Sequence, residues 1–419
     1  MRLELITIGD ELLLGYTVDT NAAFIARTLA EVGVEVVRRS TVGDDAHAIA
    51  DAVRDALERT GAVITTGGLG PTADDRTRPT IGALFGRALR RDDTVLAAIE
   101  ARFRAFGIHR PMPASNVVQA MVPAGARVLA NHHGTAPGLW LEDERGRWVA
   151  MLPGVPSEMR AMIGETILPL IVERAGQAHT VVRSRTIRTT GIGESALAEY
   201  LGDLGGDRVN GLPLAYLPGW EGVDLRLTAR DRSGEDAERA LETAAAAVCA
   251  RASRYVYGQD GVDLASVVLD LCRARSLRIG TAESCTGGLL GARLTAIPGA
   301  SDVFMGGVVA YDNSVKTALL GVPEAVIYAS GAVSEPVATL MARGACEAVG
   351  ANVGIAITGI AGPDGGTPEK PVGTVWIAVM VKGITQVMGR TYLGDRTEIR
   401  QRAAQAALDL VRRTAGPAS

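Results

Sequence analysis

The strongest constraint on this chain is its rhythm: short apolar runs alternate with helical repeats, and glycine-rich loops follow the apolar runs. Leu3–Ile8, Glu35–Arg39 and Ala62–Thr66 read as strands, with helices at Asn21–Glu31 and Ala46–Glu58 between them. Such β-α-β alternation implies a parallel sheet covered by helices on both faces. Ligands of these sheets collect at the carboxyl ends of the strands. At 419 residues the chain is too long for one ordinary domain. A first domain is expected over 1–172, closing after the Pro-Gly-Val-Pro-Ser run at 153–157. The stretch 173–258 differs. It offers strands at Thr180–Thr189 and Val223–Ala229 and helices at Glu194–Leu201 and Glu235–Arg251, a small α+β unit. From 259 to 419 the α/β alternation resumes, with strands at Arg278–Thr281, Val303–Ala310, Val353–Thr358, Val372–Met380 and Thr385–Tyr392. The expected fold class is α/β, with two three-layer α/β domains joined by a small α+β domain.

Composition narrows the function. A formal net charge of −4 gives no overall pull toward nucleic acid or an anionic membrane, so phosphate binding must come from local features. The four cysteines form no CxxC or Cys/His spacing, and a reducing cytoplasm is the default expectation. Met1–Gly9 reads as a strand, without the basic and long apolar regions of a signal peptide. Of 43 basic residues only Lys316, Lys370 and Lys382 are lysines. The arginine excess fits a GC-rich coding habit, but a lysine, unlike arginine, can lose its proton and act as a base.

Three motifs sit at strand ends in the last segment. In Thr281-Ala-Glu-Ser-Cys-Thr-Gly-Gly288 a strand runs into a helix expected to begin near Thr286. Ser284 then lies beside unpaired helix N–H groups able to stabilise an oxyanion, and the glycines admit a substrate to the backbone. In Tyr311-Asp-Asn-Ser-Val-Lys316, Asn313 is the expected N-cap, which puts Lys316 in the first turn, where the helix dipole lowers its pKa. Tyr311 could hold or relay the proton. Thr358-Gly-Ile-Ala-Gly-Pro-Asp-Gly-Gly366 is a long loop whose amides suit a phosphate or carboxylate, although it is neither a P-loop nor a GxGxxG fingerprint. Taken singly, the serine also fits a helix cap, the lysine an exposed side chain and the loop a structural turn. Cys285 is a rival nucleophile, but all five histidines lie outside this segment, so it is expected to be a packing residue.

Near the N-terminus, Gly9-Asp-Glu-Leu-Leu-Leu-Gly15 follows the first strand and Thr65-Thr-Gly-Gly-Leu-Gly-Pro-Thr-Ala-Asp-Asp75 the third. The second motif pairs a glycine-rich anion cradle with two carboxylates, as a phosphate bridged by a divalent cation requires. Asp74 or Asp75 equally suits a helix cap.

The three later motifs together resemble the C-terminal domain of the CinA (competence/damage-inducible) family, whose active members deamidate nicotinamide mononucleotide. By that resemblance Ser284 is the nucleophile and Lys316 and Tyr311 activate it, while Thr286, Gly287, Gly288, Asn313, Thr358, Gly359, Ala361 and Gly362 shape the substrate site. No cofactor is implied there. The N-terminal motifs, with Leu152-Pro-Gly-Val-Pro-Ser-Glu-Met159, resemble the CinA N-terminal domain of MoaB/MogA (molybdopterin-binding) fold. In some members this domain hydrolyses ADP-ribose to AMP and ribose 5-phosphate with a divalent metal. The resemblance implies Gly67, Gly68, Gly70, Pro71 and Thr72 as the nucleotide cradle and Asp10, Glu11, Asp74 and Asp75 as metal ligands. The middle segment takes the place of a KH-like connector; its Gly202-Asp-Leu-Gly205 has GxxG form without the flanking basic cluster an RNA clamp needs. The expected protein is a cytoplasmic, homodimeric enzyme acting on nicotinamide mononucleotide and ADP-ribose, without membrane or nucleic-acid partners. The rival is a competence- or DNA-damage-linked binding protein whose N-terminal domain only binds a nucleotide or molybdopterin.

Overall fold

The computed structural model describes residues 1–105, 112–175 and 181–416. Contacts divide the chain into two compact units, Met1–Arg183 with Ala229–Glu238, and Ser184–Thr228 with Arg239–Ser419. The first unit holds a six-stranded sheet in the order Glu35–Val42, Arg2–Ile8, Ala62–Thr66, Trp148–Leu152, Gly138–Glu142, Arg127–Leu129. The first four of these strands are parallel, and the last two turn antiparallel. The sequence reading of a parallel sheet is corrected to a mixed one. The cause is local: Glu142 and Trp148 are joined by a tight turn in which Asp143 accepts from the amides of Arg145 and Arg147, both at 2.9 Å. A link that short cannot make a parallel crossover.

The last segment forms a five-stranded sheet, Phe304–Val309, Ile279–Glu283, Val353–Gly359, Thr374–Val381, Ile384–Thr391. Its first three strands are parallel. Lys382 and Gly383, both at positive φ (48° and 86°), then close a two-residue hairpin that reverses the last strand. Ala62–Thr66, Trp148–Leu152 and Ile279–Glu283 are buried at every residue, as central strands between two helical layers must be. The middle sheet has the order Arg208–Val209, Leu212–Pro218, Val223–Arg232, Val181–Thr189, Val256–Gln259, and its first three strands and its last pair run antiparallel. Arg208–Val209, Leu212–Pro218 and Val256–Gln259 were not expected as strands. Gly202–Leu204 is a short 3-10 turn, and Gly205 accepts at its carbonyl from the Tyr216 hydroxyl at 2.9 Å. Among the described residues, no helix is long and apolar enough to cross a membrane.

Candidate active site

Register brings the three C-terminal motifs to one edge of their sheet. Glu283 pairs with Val309 on one side and Ile357 on the other, so Ser284, Ala310 and Thr358 leave adjacent parallel strands together. The Ser284 amide donates to Ile357 O at 2.9 Å, the Ala310 amide to Glu283 O at 2.8 Å, and Ser284 is 8% exposed. After Ser284 the chain does not enter a helix near Thr286 as expected. Gly287 and Gly288 take left-handed φ values of 58° and 95°, and the helix runs from Leu289 to Thr295. Ser284 does not cap it: Gly288 holds the N-cap position and no side chain closes that end from there.

Glu283 does so instead. Its buried carboxylate accepts from the amides of Gly288, Leu290 and Gly291 at 3.1, 3.0 and 2.8 Å. The helix-end donors that sequence analysis offered to an oxyanion are therefore occupied. The amides of Cys285 and Thr286 have no protein acceptor among the described residues, and they are the donors left beside Ser284.

Lys316 differs from both of its simple readings. It is 1% exposed, so it is not a surface side chain. Its Nζ donates to Ala310 O at 2.9 Å and Tyr311 O at 3.3 Å, which leaves one of its three hydrogens for another partner. The helix Asn313–Leu320 is capped by Asp312, not by Asn313, because the Asp312 carboxylate accepts from Ser314 N at 2.8 Å. Asn313 is exposed in the first turn. Burial lowers the Lys316 pKa from 10.5, against the opposing charge of the Asp312 carboxylate. No direct hydrogen bond joins Ser284 Oγ to Lys316 Nζ among the described residues; the structure places both at the same strand ends.

Two arginines that sequence analysis missed tie the site together from the final helix, Arg396–Ala415. Arg396 donates to Gly362 O at 2.5 Å and to the Tyr311 hydroxyl at 2.9 Å; Arg400 donates to Thr286 O at 2.7 Å. Their i, i+4 spacing on one helix face was the available signal. Tyr311 is 61% exposed. Thr286 is buried with its hydroxyl unpartnered, whereas Thr358 spends its hydroxyl on Ala332 O at 2.9 Å. Gly287 is exposed and Gly288 partly so, open to a ligand. Gly359 and Ala361 are packing positions: a Cβ on Gly359 would stand 2.7 Å from Val375, and Ala361 belongs to the core. Cys285 is buried in that core too, its thiol pushed up to about 12 by desolvation, so it stays protonated. Lys370 braces the loop, donating to Ser330 O and Val333 O at 2.8 and 2.9 Å.

The N-terminal motifs line a separate cleft of about 490 Å³. Gly67, Gly68, Gly70 and Pro71 form part of its wall. Glycine is required there, since a Cβ on Gly67 would stand 2.1 Å from Ile8 O. Thr72 turns away from that role, giving its amide and hydroxyl to Asp75 at 2.8 and 2.5 Å, while Gly70 N donates to Asp75 at 2.7 Å. Asp75 thus staples the loop, and the helix Thr77–Leu84 has Arg76 at its N-cap position without a capping side chain. Asp10 and Asp44 exchange amide-to-carboxylate bonds at 3.0 and 3.3 Å. Asp44, not anticipated from sequence, has its carboxyl pushed up by burial first and then by the charges of Asp10, Glu11 and Asp74. Among the described residues no three His, Cys, Asp or Glu side chains gather as one metal-ligand group. His109 and His179 lie outside the described residues.

Comparison with known proteins sets these sites in context. Residues 262–415 match the CinA C-terminal domain, 184–258 the damage-inducible protein CinA KH domain, and 4–173 a family described as "Probable molybdopterin binding domain". A CinA-like protein of Gemmatimonas aurantiaca is 59% identical over 414 residues, spanning 99% of this chain and 96% of that protein. The chain belongs to the CinA family. A CinA-like protein of Salinibacter ruber is 45% identical over 99% of both chains. The crystal structure of a competence/damage inducible protein from Agrobacterium tumefaciens is 42% identical, covering 35% of this CinA chain and 90% of that one, with a TM-score of 0.35. The α/β class with a KH-like middle domain accords with the three family matches.

Proposed function

We infer that the C-terminal site hydrolyses the carboxamide of nicotinamide mononucleotide to nicotinate mononucleotide and ammonia. The observation that carries this reading is a buried lysine with a lowered pKa, its amine on the Ala310 carbonyl at the strand end next to that of a serine that caps no helix. Lys316 in its neutral form takes the Ser284 proton as Oγ bonds to the amide carbon. Negative charge on the carbonyl oxygen meets the amides of Cys285 and Thr286. The C–N bond then breaks, and the Lys316 ammonium returns the proton to the departing nitrogen, releasing ammonia. Water, deprotonated in turn by Lys316, cleaves the acyl-serine and restores both residues. Arg396 positions Tyr311 and the 358–362 loop, and with Arg400 it supplies positive charge for the substrate phosphate. The test is ammonia release by full-length protein and by Ser284→Ala, Cys285→Ala and Lys316→Ala. Full activity in Ser284→Ala would overturn the assignment.

The N-terminal cleft is read as a second nucleotide site, hydrolysing ADP-ribose to AMP and ribose 5-phosphate. Mutually repelling carboxylates around Asp44, beside a glycine cradle, favour a cation and a phosphate. Asp10, Glu11, Asp44 and Asp74 are the carboxylates to test as partners of a divalent ion that would neutralise the diphosphate, although no three of them gather as one ligand group without a substrate; Asp75 is committed elsewhere. Substrate oxygens would complete the ligand set. Product analysis with ADP-ribose, with and without divalent metal, tests it. The cytoplasmic homodimer completes the reading, and sedimentation of the full chain checks the dimer.

A further inference from the structure

A second cleft, of about 340 Å³, opens within the unit that carries the C-terminal sheet. One wall is the loop Thr190-Gly191-Ile192-Gly193 before the helix Glu194–Leu201, and the other is the end of the last strand with the final helix. From that second wall come Arg390, Tyr392, Arg402 and Arg413. The Tyr392 hydroxyl and Arg402 Nε are buried and have no hydrogen-bond partner. Neither Arg390 nor Arg402 makes an ion pair among the described residues, and no carboxylate answers them directly.

The two inner acids of the cleft are engaged elsewhere. Asp409 is buried and paired with Arg412 and Arg413 at 2.8 and 3.0 Å. Glu221 is paired with Arg188, and Glu194 stands exposed at the rim. The floor is polar and fixed: Gln405, 2% exposed, donates to Thr190 Oγ1 at 3.4 Å and accepts from Arg293 at 2.8 Å. Buried donors without acceptors are costly, and native proteins rarely leave them so. Guanidinium and phenol groups offer donors in excess, and arginine has no acceptor at all. A group with several acceptor oxygens and negative charge completes this set, and a water does so only in part. The cleft is also of a size suited to a small ligand.

We propose that this cleft is a binding site for a phosphate-bearing small molecule, held by Arg390, Arg402 and Tyr392 against the Thr190–Gly193 loop. It is distinct from the Ser284 site, whose arginines, Arg396 and Arg400, occupy the first turns of the same helix and bond Tyr311, Gly362 and Thr286.

The experiment is calorimetric titration of the full-length protein with inorganic phosphate and, separately, with AMP. The double variant R390Q/R402Q is compared with wild type, and R396Q serves as the control for the other site. The expected result is a binding event weakened about tenfold or more in R390Q/R402Q and retained in R396Q. Loss with AMP alone identifies a phosphomonoester as ligand; loss with both identifies the phosphate group itself. Binding that is unchanged in R390Q/R402Q, or no binding of either probe to wild type, overturns the proposal. Should the double variant fail to fold by circular dichroism, R402K decides. It keeps the charge and loses the guanidinium fork, so unchanged affinity there also overturns the site.

Discussion

Two glycine-rich loops in this chain are each held by one carboxylate, and the two carboxylates are placed very differently. Glu283 is buried at a strand end and closes the start of the next helix through three amides. Asp75 is half-buried and staples its own loop through the Gly70 and Thr72 amides and the Thr72 hydroxyl. Around Glu283 the remaining charges are cationic, from Lys316, Arg396 and Arg400. In the N-terminal cleft the carboxylates Asp10, Glu11 and Asp74 surround Asp44, while the buried Arg78 stands near Asp75. On the proposed functions, the first loop faces a lysine base and arginines that meet a substrate phosphate directly, and the acidic cluster by the second calls for a cation between itself and a phosphate.

The largest effect that sharpens this contrast is on chemistry. Ser284→Ala is expected to lower the ammonia-release kcat by about 10³-fold or more, and Lys316→Ala by about 10²- to 10⁴-fold. Neither should change turnover of ADP-ribose, and loss of both activities together would break the comparison. Next comes Glu283→Ala, which strands three amides and should cost about 3 kcal/mol in urea denaturation. Arg400→Gln is expected to raise KM for nicotinamide mononucleotide about tenfold while moving kcat less. Asp75→Ala, at a more exposed loop, should cost about 1 kcal/mol, and an equal loss at both positions would show that burial does not distinguish them. The pH profile is the gentlest probe. Burial lowers the Lys316 pKa from 10.5, and the neutral amine is the active form, so deamidation should rise with pH and level off below 10.5. An unchanged limb in K316R would remove Lys316 from the role of base.

Much of this was legible in the sequence. The strand Ala62–Thr66 and the helix Glu194–Leu201 lie where the apolar periodicity put them, because central strands and amphipathic helices carry their burial in their pattern. Ser284, Tyr311 and Lys316 could be marked because each follows such a strand. The helix start after Ser284 was misplaced because a glutamate five residues before Gly288 can cap only through a left-handed turn, which no periodicity records. Asn313 was preferred to Asp312 as the cap since both residue types suit that position and only the backbone chooses between them. Arg400 reaches Thr286 across 114 residues, so its part in the site belongs to tertiary structure. The antiparallel turns were missed where short links, such as Lys382-Gly383, carry the geometry.

The scarcity of lysine gives the chain an internal reporter. Lys382 is exposed on its hairpin, Lys370 has its amine tied to two carbonyls, and Lys316 is enclosed. An acylating reagent should therefore mark these side chains in that order, with Lys316 last. A substrate lying over Ser284 would delay the Lys316 mark further, so a simple mass ladder would count occupied sites without any turnover being measured.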